Sequence, residues 1–197
     1  MHSYSIDTSE RKYVPLILAI LAVFCAWVFN VLFNYYHIEL SWWISTPSVM
    51  GFYGLFWVIF DQWIWKLSIL HTIGFIKTPI LLGEWTGVIK SSFNKSVEKN
   101  VSVSIKQSWT RINIFLKTNT SHSNSLAASI ALSDKKSPLL SYQYQNDPGL
   151  EAVDTMQIHY GTTNLLISDN LLSMSGNYYS GRGRQSIGAI NLEKNDI

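Results

Sequence analysis

The chain has 197 residues and a net charge of +2, and charged side chains make up 14% of it, against about a quarter in an ordinary soluble domain. The shortage is uneven: residues 1–77 carry four Lys/Arg, four Asp/Glu and six of the eight Trp, while residues 78–197 carry eleven Lys/Arg and nine Asp/Glu. This length excludes a multidomain enzyme, the small net charge excludes a polybasic binder of DNA or RNA, and the lone Cys25 excludes a disulfide framework or a C-x-x-C redox pair.

Residues 1–13 form a short N-terminal segment that ends in the basic pair Arg11 and Lys12. Residues 14–33 contain no charge and a single Asn, and about twenty apolar residues at a rise of 1.5 Å cross a ~30 Å hydrocarbon core. This predicts a transmembrane helix. A secretory signal is the rival reading, but its apolar region is about 7–15 residues long and leads into small residues; neither condition holds. Residues 34–41 form a short connection carrying His37 and Glu39. A second span with its interfacial end covers 42–70, starting at Trp42-Trp43 and reaching Asp61. If the hydrocarbon stretch ends near Phe60, Asp61 lies among the headgroups; if it runs on to Leu70, Asp61 is intramembrane and a functional candidate. Asn30 and Asn34 are either interhelical hydrogen-bonding groups or tolerated polar residues. The connection has no Lys or Arg, whereas Arg11 and Lys12 precede the hairpin and Lys66, Lys77 and Lys90 follow it. The positive-inside bias therefore predicts a multi-pass membrane protein with both termini cytoplasmic.

After a linker at 71–78 the pattern changes to short alternating runs separated by turn clusters, the signature of a sandwich or barrel. Strands are predicted at 83–90, 101–107, 109–116, 125–132, 139–145, 155–160, 164–168, 171–179 and 186–192. The fold class is thus a membrane protein: a two-helix hairpin plus an all-β antiparallel barrel of about eight strands over 79–197. The strands are too short and too polar for a transmembrane barrel. A closed barrel of eight strands leaves no open edge and has room for packed side chains or one small ligand.

No enzyme motif is present: the five His are scattered, and there is no H-E-x-x-H, P-loop or nucleophile elbow. The expectation is a binding module with no catalytic residue, no metal and no cofactor. Alternation places Trp85, Gly87 and Ile89 on one face, Arg111, Asn113 and Phe115 on another, Tyr142 with Tyr144, and Met174 and Gly176 with Tyr178. Each aromatic is either barrel core or a stacking surface, and Arg182 and Arg184 are either a solvated hairpin tip or ligand contacts.

The charge-poor hairpin, the string from Pro79 to Gly87 containing Gly83-Glu84-Trp85-Thr86-Gly87, and the string from Leu171 to Arg182 followed by Gly188-Ala189-Ile190 resemble the two-transmembrane, β-strand-rich effectors of bacterial CBASS anti-phage operons. The resemblance covers nearly the whole chain in architecture. It implies that a nucleotidyltransferase makes a cyclic di- or oligonucleotide, that the cytoplasmic barrel binds it, and that homo-oligomerisation in the bilayer then disrupts the inner membrane and kills the infected cell. Under this reading Trp85 and Tyr178 stack on bases, Arg182 and Arg111 hold phosphate, and Asn30, Asn34 and Asp61 turn toward the helix assembly. Trp85 and Arg182 lie in the family-like strings; Arg111 rests on alternation alone. The alternative is a membrane-tethered, lipocalin-like carrier of an apolar molecule, which needs an all-apolar interior.

Overall fold

The computed structural model describes residues 1–37, 42–92, 94–132, 137–150, 152, 157–181 and 186–195, with 42–48 and 94–97 as backbone alone. The chain folds as two units, Thr8–Lys77 and a second built from Met1–Asp7 with Thr78–Ile197.

In the first unit the uncharged run forms helix α1, Glu10–Tyr35, which is long and apolar enough to cross a membrane. Helix α2 spans Trp42–Gln62. Val14, Leu18, Ala22 and Ala26, spaced four apart, make the buried stripe of α1, and the rings of Phe29 and Phe52 meet edge-on at 5.8 Å between the two helices. Leu16, Ile20, Val23, Phe24 and Trp27 remain exposed along α1. A contiguous apolar face of that extent is suited to lipid and not to water. Past α2 the chain makes a 3₁₀ turn, Ile64–Lys66, around the fully buried Trp65, and a short helix α3, Ser68–Thr72. The two ends of the unit are tied to each other. Glu10 Oε2 accepts from the Lys77 N–H at 2.6 Å, and the Tyr13 hydroxyl donates to the Phe75 carbonyl.

The second unit is a closed barrel of nine described strands: β1 His2–Ile6, β2 Gly83–Ser91, β3 Asn94–Gln107, β4 Arg111–Lys117, β5 Ser121–Ala131, β6 Leu139–Pro148, β7 His159–Ile167, β8 Ser173–Ser180 and β9 Ile187–Lys194. Around the ring the order is β1-β4-β3-β2-β9-β8-β7-β6-β5. Eight strands form an antiparallel meander from β2 to β9, closed by the β2–β9 ladder that pairs Trp85 with Lys194 and Ser91 with Gly188.

Two features depart from the sequence reading. Strands expected at 155–160 and 164–168 are one strand, β7; Thr155 and Met156 lie outside the described residues. Gly161 interrupts the apolar pattern because of packing, not because of a turn: a Cβ there would lie 2.3 Å from Tyr144 Cζ. The ninth strand comes from the N-terminal segment. β4 and β5 pair directly only where Phe115–Lys117 meets His122–Asn124. Beyond that fork they diverge, and β1 fills the gap, antiparallel to β4 through His2 and Ser3 and parallel to β5 through Tyr4, Ser5 and Ile6. At the fork the Ser125 hydroxyl accepts from the Ile114 N–H at 2.9 Å and lies 2.7 Å from His2 Nε2. Tyr4 is part of the barrel core and Ile6 packs against it.

Candidate ligand-binding site

The interior of the barrel changes character along its length. At the end where the chain leaves for the helices, Leu81, Trp85, Ile105, Ile112, Leu140 and Ile167 are buried at 2% exposure or less. Toward the opposite end buried polar residues join the interior: Ser121 and Ser123 on β5, Asn146 on β6, and Ser180 at the end of β8 beside Ser186. Register sets them on neighbouring strands, with Ser180 paired to Gly161, whose other partner is Tyr144. Ser123 pairs with Asn146, and Asn146 with His159; the Ser180 hydroxyl lies 2.5 Å from that of Ser186.

Two tyrosine rings border this patch, each seated on a glycine. Tyr144 lies over Gly161, and Tyr178 over Gly188, where a Cβ would come within 2.2 Å of Tyr178 Cε1. Any larger residue at either glycine would displace the ring. Asn146 is 93% buried, and its Nδ2 has no hydrogen-bond partner among the described residues. A buried amide donor without a partner is costly by about 1–3 kcal/mol unless a ligand or water takes it up. Deeper in, burial pushes the Tyr142 phenol up to about 12, opposed by a hydrogen bond with the Thr163 side chain.

The residues singled out in the sequence fall in different places. Tyr178 borders the polar patch, half-buried. Trp85 is at the far end with no exposed surface. Its Nε1 donates to the Leu81 carbonyl at 3.0 Å, and Lys194 Nζ stands 5.5 Å from the ring centroid while donating to the Ile80 carbonyl at 3.4 Å. Burial lowers the Lys194 pKa. Arg111 is exposed on the outside of the barrel, because the other parity of β4, Ile112, Ile114 and Leu116, takes the interior. Alternation had fixed which β4 residues share a face but not which face is inside. Arg182 and Arg184 lie outside the described residues, in the connection between Gly181 and Ser186. In α1, Asn30 donates to the Ala26 carbonyl at 3.0 Å within its own helix and Asn34 is exposed. Asp61, in the last turn of α2, is buried and accepts from Gln62 Nε2 at 3.1 Å. Ser121, Ser123 and Asn146 were not singled out, since a polar residue on the inward parity is recognisable only once the inside is known.

Family models match both units: "Cap15, TM helices" over residues 12–66 and "Cap15, cyclic dinucleotide receptor domain" over 76–194. The chain belongs to the Cap15 family. Among curated relatives it is 30% identical to a CD-NTase-associated protein 15 of Yersinia aleksiciae over 192 residues, 96% of this chain and 88% of that protein. To one of Staphylococcus schleiferi it is 29% identical over 153 residues, 77% of this chain and 80% of the relative. The barrel is therefore the family's cyclic dinucleotide receptor domain, the helices are membrane helices, and the chain is a CBASS Cap15 effector.

Proposed function

We propose that the polar end of this Cap15 barrel takes the cyclic dinucleotide, and that binding drives copies of the helical hairpin to assemble and breach the inner membrane. The observation that carries the location is the buried, unpaired Asn146 amide among the hydroxyls of Ser121, Ser123 and Ser180. These groups match base edges and ribose hydroxyls, and the Tyr178 and Tyr144 rings offer stacking faces. Phosphate calls for cations, for which Arg182 is the candidate by its place two positions after Ser180. Trp85, wholly buried, contributes to closing the other end. A carrier of an apolar molecule would want an apolar lining, and the polar patch argues against it. The reading requires no reaction, so the chain acts as a receptor and not as an enzyme.

The multi-pass topology has its own support. β1 precedes the helices and β2–β9 follow them, yet they form one barrel. A folded barrel lies on one side of a bilayer, so residues 8–77 cross an even number of times. With α1 long enough to span, two crossings satisfy this. The basic residues flanking the hairpin favour the cytoplasm for the barrel. On assembly, the exposed Asn34 and the buried Asp61 supply polar groups for a shared interior.

Calorimetric titration of the full chain in detergent with cyclic di-GMP, cyclic di-AMP and cyclic GMP–AMP tests the site. At least one should bind, and Asn146→Leu, Tyr178→Ala or Arg182→Ala should each weaken it tenfold or more, since a lost buried polar contact costs on the order of 2 kcal/mol. Unchanged affinity in all three variants would remove the polar end as the site; no binding to the native chain would remove the receptor reading for these ligands.

A further inference from the structure

The barrel is joined to the helical unit by two segments of chain, one leaving β1 and one entering β2, and both are held by the same side chain. Gln107, the last residue of β3, is buried at 4% exposure. Its Oε1 accepts from the Leu81 N–H at 2.8 Å, and its Nε2 donates to the Pro79 carbonyl at 3.0 Å and to the Tyr4 hydroxyl at 3.4 Å. Tyr4 in turn donates to the Ser108 carbonyl at 3.4 Å. A second tie, Glu10 to Lys77, joins the same two segments within the helical unit. Between the ties lie only residues 5–9 on one segment and residue 78 on the other.

We propose that Gln107 is the positioning residue that makes these two segments move as one, so that a change in the barrel reaches both ends of the helical hairpin together. The element that carries it is β3, the longest described strand: its Val103 pairs with Leu116, which pairs with Ser123 of the polar patch, and it ends at Gln107 in the apolar end. A buried amide with acceptor and donor both engaged holds its partners at fixed distances, because separating any one leaves a buried group unpaired. This transmission role rests on the reading that ligand binding acts on the helices; the tie itself does not.

The test uses the full chain with Gln107→Met, which keeps the length and removes both polar groups. Hydrogen exchange in detergent should quicken at least tenfold at residues 3–6 and at Leu81 together, with the amides of β6 to β8 unchanged. In liposomes, affinity for the cyclic dinucleotide found by calorimetry should stay within twofold while dye release at saturating ligand falls at least fivefold. Tyr4→Phe leaves every bond of the 79–81 segment in place and no hole in the core, and should also lower dye release with the melting temperature held within about two degrees. Faster exchange confined to Leu81, with residues 3–6 unchanged, overturns the tie. Undiminished dye release in both variants overturns the transmission role. A native chain that binds no cyclic dinucleotide would defeat the receptor reading, and the exchange result would still decide the tie.

Discussion

A phenol held near pKa 12 makes Tyr142 a reporter of the packed interior. Unfolded, it would release its proton near pH 10. Between those values the unfolded chain gives up a proton that the folded chain keeps, which draws the equilibrium toward unfolding. The stabilisation is complete below pH 10 and is lost as the pH rises through 12. Melting temperature should therefore fall above pH 10, and less steeply in Tyr142→Phe than in the native chain; superimposable curves would contradict the assignment. At this scale the sequence was only partly readable. Parity along β4 and β8 was correct, but parity alone does not say which row is inside. On β8 the inward row is Met174, Gly176 and Tyr178, whereas on β4 the apolar row displaced Arg111 to the surface. Trp85 shows the same limit from the other side: a large aromatic on the inward face fills a core as readily as it lines a pocket.

At the scale of elements, the helical hairpin and the meander from β2 to β9 followed from uninterrupted apolar length and from alternation with turn chemistry. β1 was invisible because five residues, His-Ser-Tyr-Ser-Ile, offer two apolar positions and no turn signal. It exists through tertiary context, by completing a ladder that β4 and β5 leave open past Phe115 and Asn124. Removing it would expose two strand edges and the cavity that Tyr4 and Ile6 fill. A chain lacking residues 1–7 should lose about 4 kcal/mol of barrel stability from the burial of those two side chains, seen as a lower thermal midpoint and a tendency to aggregate. An unchanged midpoint would mean that β1 is a passive addition. For the same reason a fragment beginning near residue 79 is an incomplete receptor, and ligand measurements belong on the full chain.

At the scale of the whole molecule, the barrel is built from the segments on both sides of the helical unit, β1 before it and β2 to β9 after it. The receptor does not hang from a single tether; it takes in both the segment that precedes α1 and the segment that follows the helical unit. That arrangement suits an effector in which ligand occupancy must be felt by two helices at once. Its most direct test is the sidedness of the two chain ends. In a Cys25→Ser background, Ser3→Cys on β1 and Glu193→Cys on β9, both exposed, are labelled with a membrane-impermeant maleimide in right-side-out and inverted vesicles. The account predicts that both react in inverted vesicles and neither in right-side-out ones. Labelling of the two positions from opposite faces would contradict the single barrel, and with it the hairpin that it roots.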